Sequence, residues 1–278
     1  MDHLRFLVTA GSTHEPIDAV RDWGNIFTGQ TGCDIALELL KHGAVKLVTS
    51  NRNHAAEHAN MLCNGHALSI ETFHRHHELR AILADQFGSE TEPATPPFAA
   101  IFMTAAISDY APAGVFRVVE EQAAQSASGA AATPRRRRWL VEDVQKDKIS
   151  SKHERIAVLG VPTDKLIDLF RPVWKHQGLL FKFKLEAGVS EEELIKIAQA
   201  SRRQSQADYV VANTLEMARG NDRAAYIISE HNVERVRRDD LPRALVDVTL
   251  RAAPQSGPQP GPQSGPQPGQ KSGPKSNA

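Results

Sequence analysis

Cysteine is scarce in this sequence, and its scarcity narrows the possible classes of protein. Cys33 and Cys63 are the two cysteines, and they have neither the spacing of metal ligands nor the number needed for a disulfide framework. This usage fits a reducing compartment. No apolar run is long enough to span a bilayer, and residues 1–10 lead into a strand rather than a signal sequence. We therefore predict a cytoplasmic protein with no membrane partner.

Excess charge of either sign is also absent. Lys plus Arg and Asp plus Glu are both 33, so the overall balance does not indicate a protein that binds nucleic acid. The four arginines at 135–138 follow an Ala/Ser-rich stretch, and we interpret them as an exposed charge run. We expect no nucleic-acid partner, and any anion must be bound by a local site.

Strand and helix patterns alternate along most of the chain. The predicted strands cover residues 4–10, 44–50, 67–72, 98–106, 156–160, 178–188 and 207–216. The predicted helices cover residues 32–42, 74–87, 164–174 and 190–206. Such alternation predicts an α/β fold, a Rossmann-like, mostly parallel sheet with helices on both faces. Ligands of these sheets bind beyond the carboxyl ends of the strands, which places residues 10–32 and 105–112 at one edge.

The domain organisation is predicted from shifts in composition. Residues 1–252 are expected to form one domain, with an irregular, low-complexity excursion at about 114–146 and a closing hairpin at 224–237. Residues 253–278 repeat PQSGPQPG, and a Pro/Gly/Ser/Gln segment cannot bury enough apolar surface to order itself. We predict that this tail is disordered.

The loop after the first strand has the chemistry of an anion site. The strand ends in Gly11, Ser12 and Thr13, and the predicted helix is approached through Thr28 and Gly29. Backbone N–H groups, hydroxyls and a helix N-terminus would meet at one point, and phosphate is the natural ligand for such a site. The alternative is that the glycines serve only tight turns and that the intervening asparagine caps a turn.

Six segments resemble the phosphopantothenate-cysteine ligase family. Residues 8–32 read V-T-A-G-S-T-x-E-P-I-D-x-V-R-x-x-x-N-x-x-T-G-x-x-G, which is similar to the family's T-A-G-G-T-x-E-P-I-D-x-V-R-x-x-x-N-x-S-S-G-x-x-G. The others are TAAISDYAP, DKISSK, VPTDKLID, FKLEA and ADYVVANTLE, in the family's order up to residue 216. The first motif begins close to Met1, so the resemblance implies a stand-alone form without the flavin-dependent decarboxylase domain.

The resemblance implies a reaction in coenzyme A biosynthesis. The carboxylate of 4'-phosphopantothenate would attack a nucleoside triphosphate, ATP or CTP with Mg²⁺, to give an acyl-nucleotidylate, and the cysteine amine would then displace the nucleotide. Lys148 would neutralise charge at the triphosphate, Asn25 would donate to the acyl oxygen, and Arg21 would hold an anionic partner. The alternatives are a solvated loop lysine at 148 and a turn residue at 25.

The resemblance also implies a set of nucleotide- or phosphate-binding positions. They are Gly11, Ser12, Thr13, Thr28, Gly29, Ala105, Ala106, Asp109, Phe183 and Asn213. Phe183 could instead be a core residue, and Asp109 could contribute to Mg²⁺ binding or cap its loop. Family members are dimers, so we expect a homodimer, with residues 114–146 a candidate for part of the interface.

Several positions depart from the family pattern. Phe27 replaces the first serine of N-x-S-S-G, and Ser12 replaces the second glycine of T-A-G-G-T. Bacterial members carry two lysines where this chain has Ser201 and Ser205, which leaves the choice between ATP and CTP open.

Two alternative hypotheses about the function therefore remain. One is a nucleotide-binding relative that has lost turnover. The other is an NAD(P)-dependent Rossmann oxidoreductase, which the absence of G-x-G-x-x-G after the first strand disfavours.

Overall fold

The computed structural model describes residues 4–87, 97–123, 137–219 and 223–252. The strands of these ranges are β1 (Arg5–Ala10), β2 (His14–Pro16), β3 (Asp22–Gly24), β4 (Ala44–Thr49), β5 (Leu62–Cys63), β6 (His66–Thr72), β7 (Ala100–Met103), β8 (Tyr110–Ala123), β9 (Arg137–Asp143), β10 (Ile156–Pro162), β11 (Leu179–Glu186), β12 (Tyr209–Thr214), β13 (Ala224–Ile228) and β14 (Val233–Arg237). The helices are α1 (Gln30–Leu39), α2 (Arg52–His58), α3 (His76–Asp85), α4 (Glu191–Ser205), α5 (Leu215–Arg219) and α6 (Leu241–Ala252), with a 3₁₀ helix at Leu166–Leu169.

A nine-stranded sheet organises the chain, in the order β14-β13-β12-β11-β7-β1-β4-β6-β5. From β12 across to β6 every neighbouring pair is parallel. The hairpin β13–β14 closes one edge in antiparallel pairing, and β5 pairs antiparallel with β6 at the other. The predicted α/β fold, with a mostly parallel sheet and a closing hairpin, is confirmed.

Strand β1 is buried on both faces because its apolar run has no polar alternation. Phe6 and Val8 belong to the core cluster that includes side chains of α1 and α6. Leu7 points to the opposite face, into the cluster that contains side chains of α3 and of the 3₁₀ helix. Helices therefore cover both faces of the sheet, as expected for parallel strands with right-handed crossovers.

A second, three-stranded antiparallel sheet has the order β10-β8-β9. The predicted strand at 156–160 exists, but its expected place in the core sheet is wrong, since β10 pairs with β8 from Ile156 to Pro162. The excursion predicted at 114–146 contributes to β8 and β9. Residues 124–136, and with them part of the arginine run, lie outside the described residues.

Other differences from the predicted elements have local causes. The helix expected at 164–174 is a single 3₁₀ turn at Leu166–Leu169, where aromatic packing of Phe170 and Trp174 holds an irregular segment. Helix α1 begins at Gln30, two residues earlier than predicted, so the Thr-Gly pair that precedes Cys33 belongs to its first turn.

None of the helices in the described ranges is long and apolar enough to cross a membrane. Residues 253–278, predicted to be a disordered tail, lie outside the described residues. The single domain at 1–252 stays a prediction.

Candidate functional site

The loops after β1 and β7 lie side by side at the carboxyl edge of the parallel strands. Ser12 and Ala106 form an isolated parallel bridge. The Ala106 N–H donates to the Gly11 carbonyl at 2.8 Å, and the Thr13 N–H donates to the Ala106 carbonyl at 3.2 Å. The structure thus brings together two of the predicted segments.

Ser12 and Thr13 are buried, with exposed fractions of 1% and 0%. The Ser12 N–H donates to Ser50 Oγ at 2.8 Å, and its hydroxyl lies within hydrogen-bonding distance of the Asn25 and Phe27 carbonyls. Thr13 Oγ1 accepts a hydrogen bond from the Ser108 N–H at 2.8 Å. These groups build the loop. Phosphate binding by the two hydroxyls stays a prediction, and it would require their present hydrogen bonds to open.

Gly11 and Gly29 let two backbone segments cross closely. Their φ angles are +85° and +82°, which side chains rarely tolerate. A Cβ at Gly29 would lie 2.2 Å from the Gly11 backbone nitrogen. Gly29 is the N-cap of α1 and supplies no side-chain hydrogen bond, so the first-turn N–H groups keep their donor capacity for an anion. The neighbouring Thr28 is exposed.

Asn25 joins the hairpin β2–β3 to the end of β7. Its side chain is half-buried, and its Nδ2 donates to the Ala106 carbonyl at 3.1 Å. The amide is therefore fixed at the edge where Ser12 and Thr13 lie. The contact of Asn25 with the acyl oxygen stays a prediction.

Residues 17–21 and 145–149 form a second contact, which we call the clasp. The Ala19 N–H donates to the Asp147 carbonyl at 2.8 Å. The Asp18 carboxylate accepts from the Ile149 N–H at 3.1 Å, and Arg21 Nη2 donates to the Ile149 carbonyl at 3.2 Å. Two segments that are far apart in sequence are thereby joined by a backbone hydrogen bond and by the side chains of Asp18 and Arg21, which bond to the Ile149 backbone.

Charge strengthens the clasp. The Val20 N–H, the Ile149 N–H and the Arg21 guanidinium hold the pKa of the Asp18 carboxyl below its ordinary value of 3.8. The carboxylate is therefore charged at neutral pH. Arg21 Nη1 lies 3.6 Å from this carboxylate. Arg21, which we predicted to bind an anionic group of the substrate, therefore already pairs with Asp18 in the clasp.

Lys148 lies between the two residues that form the clasp's backbone contacts. It is exposed, and within the described residues its ammonium has no hydrogen bond or ion pair. The clasp fixes the backbone on either side of Lys148 and leaves the side chain accessible. Sequence reasoning placed Arg21 and Lys148 in one site, and the structure brings their segments together.

A pocket of about 220 Å³ opens at the same edge of the sheet. Four predicted positions line it: Ala105, Ala106, Phe183 and Asn213. Phe183 also packs against the core, so the two interpretations of this residue are compatible. Phe27, the departure from the family pattern, lines the pocket as well. An aromatic ring beside strand-end backbone is suited to hold a nucleotide base.

Sequence reasoning missed Arg238 as a pocket residue. It follows β14, lines the pocket and donates through Nη2 to Thr31 Oγ1 in the first turn of α1 at 3.1 Å. The other lining cation, Lys184, pairs with Glu186 at 2.8 Å, whereas Arg238 has no ion pair to any described residue. No local pattern marks Arg238, since it lies beyond the motif-bearing segments and reaches the pocket only through tertiary structure.

Asp109 follows the pocket-lining segment but points to solvent. Its carboxylate pairs with Lys165 at 2.8 Å, with 69% of the side chain exposed. No cluster of three or more His, Cys, Asp or Glu side chains that could hold a metal ion occurs in the part of the chain that the structure describes. The described residues thus offer no carboxylate cage for Mg²⁺, and Asp109 would first have to leave Lys165.

Ser201 and Ser205 lie in the last turns of α4, the end that leads to the start of β12. Neither residue lines the pocket. Lys182 Nζ donates to Ser205 Oγ at 2.6 Å, so an ammonium from strand β11 occupies the space beside this helix. Burial lowers the pKa of Lys182.

Two comparisons with known sequences bear on this site. The DNA/pantothenate metabolism flavoprotein C-terminal domain family matches residues 1–133. The coenzyme A biosynthesis bifunctional protein CoaBC of Thermococcus kodakarensis is 29% identical over 217 residues. Both matches support the resemblance of this chain to the phosphopantothenate-cysteine ligase family. The aligned region is 78% of this chain and 42% of CoaBC, so the chain spans less than half the length of this relative.

Solved structures share the fold of this chain. The DNA/pantothenate metabolism flavoprotein from Streptococcus pneumoniae superposes with a TM-score of 0.65 at 24% identity, over 89% of this chain and 99% of that one. A Cab2 variant in complex with phosphopantothenate-cysteine superposes with a TM-score of 0.59 at 16% identity, over 89% and 85%. At these identities the similarity concerns the fold.

Proposed function

We propose that this protein joins 4'-phosphopantothenate to cysteine through an acyl-nucleotidylate, in coenzyme A biosynthesis. One observation carries the proposal: residues from separate family-like segments, Ala105, Phe183 and Asn213, line a single pocket at the carboxyl edge. The neighbouring loops hold Asn25 against Ala106 at the same edge. The similarity to CoaBC and to the pantothenate metabolism family favours this function over an NAD(P)-dependent oxidoreductase.

The proposed chemistry needs preorganised donors more than a protein nucleophile. In the first step a substrate carboxylate oxygen bonds to the α-phosphorus of the nucleotide, and pyrophosphate leaves. In the second the cysteine nitrogen bonds to the acyl carbon and nucleoside monophosphate leaves. Negative charge builds up on oxygens in both steps, and fixed donors and cations lower the barrier by stabilising it.

Three residues take named roles in this proposal. The ammonium of Lys148 neutralises the charge on the triphosphate as pyrophosphate departs. The amide of Asn25 donates to the acyl oxygen of the intermediate. Arg21 binds an anionic group of the substrate with the part of its guanidinium that the clasp leaves free, since a planar fork suits phosphate or carboxylate.

Mg²⁺ is expected to arrive with the nucleoside triphosphate. It keeps several waters and binds phosphate oxygens with one or two carboxylates, so it does not require a protein cage. Asp109 is the carboxylate we would nominate. Bound Mg²⁺ would neutralise phosphate charge, and the nucleotide, ATP or CTP, stays open.

We further propose a homodimer that uses the small sheet. Exposed large apolar side chains concentrate there: Tyr110, Val119, Trp139, Leu140, Val141, Ile156, Leu159 and Val161. An exposed apolar surface of this kind is typical of a protein interface. Sedimentation of the wild type and of Trp139→Lys would test it: we expect a dimer for the wild type and a monomer for the variant.

The activity test uses purified protein with 4'-phosphopantothenate, cysteine, Mg²⁺ and either ATP or CTP. We expect pyrophosphate release that requires the pantothenate substrate, and a product that contains cysteine. Nucleotide binding without pyrophosphate release would instead support the relative that has lost turnover, and reduction of NAD(P)⁺ would support the oxidoreductase.

A further inference from the structure

A partly buried polar network lies beside the approach to α1, at the end of strand β4. Ser50 Oγ receives the Ser12 N–H, as described above. The next residue, Asn51, is the N-cap of α2. Its Nδ2 reaches back to the Thr28 carbonyl at 3.1 Å. Asn51 therefore connects the start of α2 to the loop that precedes the N-terminus of α1.

The orientation of the Asn51 amide is fixed from both ends. Its Oδ1 faces the Asn53 N–H at 3.0 Å, which can only donate. Its Nδ2 faces the Thr28 carbonyl, which can only accept. A flipped amide would break both hydrogen bonds, so the nitrogen must point toward Thr28.

This orientation fixes the protonation of His54. The ring is 2% exposed, and its Nε2 lies 3.1 Å from Asn51 Nδ2. Because the Asn51 nitrogen is a donor, His54 Nε2 must accept and cannot carry a proton. The ring proton of neutral His54 is then on Nδ1, where it donates to Thr49 Oγ1 at 3.1 Å.

We propose that neutral His54 is a positioning residue for the nucleotide site: it holds the Asn51 amide on the Thr28 carbonyl and thereby fixes the loop that ends at Gly29. Protonation of Nε2 would place two donors against each other. The amide would have to turn away, and Thr28 would lose its hydrogen bond. Acid would then weaken nucleotide binding through the loop at Thr28 and Gly29, although His54 itself does not touch the ligand.

The charged and titratable groups around His54 influence the pH at which its ring is protonated. His58 and Glu57 face it from α2, and Asp34 faces it from α1. Burial, reinforced by His58, lowers the pKa of His54 below 6.5, although Glu57 and Asp34 oppose the shift. The unfolded chain therefore binds this proton at a higher pH than the folded protein does. As a result, the folded protein loses stability as the pH falls below 6.5.

The first test determines which ring nitrogen of His54 carries the proton. In two-bond ¹H–¹⁵N spectra of the wild type at pH 7.5, we expect a protonated Nδ1 and an unprotonated Nε2 for His54. On acid titration the backbone amides of Gly29, Gln30 and Thr31 should shift with the midpoint of His54. A protonated Nε2 at pH 7.5, or loop amides that do not follow His54, would overturn the proposal.

The second test rests on the proposed nucleotide site. Calorimetry with ATP and with CTP compares the wild type, His54→Gln and a control, His231→Gln, which changes an exposed histidine outside this network. Glutamine can present an oxygen near the position of Nε2 and does not titrate. Between pH 7.5 and 5.0 we expect the wild type and the control to lose about tenfold more affinity than His54→Gln, since two opposed donors cost about one hydrogen bond.

Equal loss of affinity in the wild type and His54→Gln would contradict the proposal. If neither nucleotide binds at any pH, the proposed function fails, and the ring and amide titrations still decide the role of His54. A His54→Gln protein that does not fold leaves the wild-type spectra as the deciding measurement.

Discussion

The strand-end loop at Gly11–Thr13 and the clasp at 17–21 arise from one continuous motif, yet the structure uses them differently. The loop is buried, and its hydroxyls and amides bond to Ser50, Ala106 and other backbone groups. The clasp is only partly exposed, because Asp18 and Ile149 are buried, but it leaves the Lys148 ammonium accessible. One motif can therefore supply both a buried loop and a segment whose neighbours stay accessible to a ligand.

The physical difference between the two regions is the cost of moving them. A buried donor left without a partner costs about 1–3 kcal/mol, so opening the loop at Gly11–Thr13 would lose several such bonds together. Contacts of the clasp are partly exposed, and water can replace them at lower cost. We therefore expect substitutions in the loop to reduce stability and substitutions in the clasp to reduce activity.

The largest expected effect is the loss of turnover in Lys148→Gln. The variant keeps the backbone contacts of Asp147 and Ile149 but removes the charge at the triphosphate, and losing one such group typically slows the reaction by about 10²–10³. Single-turnover pyrophosphate release measures it. The control is Lys146→Gln, a nearby exposed lysine, for which we expect unchanged turnover. Equal rates in the two variants would remove the distinction between clasp and loop.

Asn25→Asp is expected to reduce the second step more than the first. The substitution removes the amide that donates to Ala106 and, in the proposal, to the acyl oxygen. We expect turnover to fall by about 10² while pyrophosphate is still released, so that the acyl-nucleotide accumulates and can be detected by mass spectrometry. Loss of pyrophosphate release with no accumulated intermediate would assign Asn25 to the scaffold.

The sequence was sufficient for the features that depend on local pattern. The apolar run of β1 predicts a strand buried on both faces, and the glycines at 11 and 29 have the positive φ angles of their tight turns. The segments that resemble the family led to the prediction of Asn25 and Lys148 as site residues. In contrast, Arg238 reaches the pocket from the last hairpin, and no spacing in its own segment indicates this contact.

The misplaced strand β10 shows the same limit. Its apolar composition correctly predicts a strand at 156–160, but composition does not say which sheet a strand joins. That choice depends on pairing with β8, whose paired residues lie about 40 to 50 positions earlier in the chain, and only the folded structure determines this pairing.

Thr13→Val tests the loop as scaffold. Valine keeps the shape but removes the acceptor of the buried Ser108 N–H, which should lower the free energy of unfolding by about 2 kcal/mol. Urea denaturation measures this change. The matched control, Thr28→Val, alters an exposed hydroxyl and should change stability by no more than about 0.5 kcal/mol. A stable Thr13→Val protein with a raised KM for nucleotide would instead make Thr13 a ligand contact.

Arg238→Gln has the smallest expected effect and extends the comparison to a region without a motif. The guanidinium is half-buried beside Thr31 and has no ion pair within the described ranges, so we expect it to bind an anionic part of the nucleotide. Its removal should raise the KM for nucleotide about tenfold, which corresponds to about 1.4 kcal/mol, and leave the KM for 4'-phosphopantothenate unchanged. Arg243→Gln is the control, since Arg243 is exposed and lies outside the pocket. If Arg238→Gln lowers only the free energy of unfolding, the hairpin after β12 serves the fold alone, and the ligand contacts are confined to the motif-bearing part of the chain.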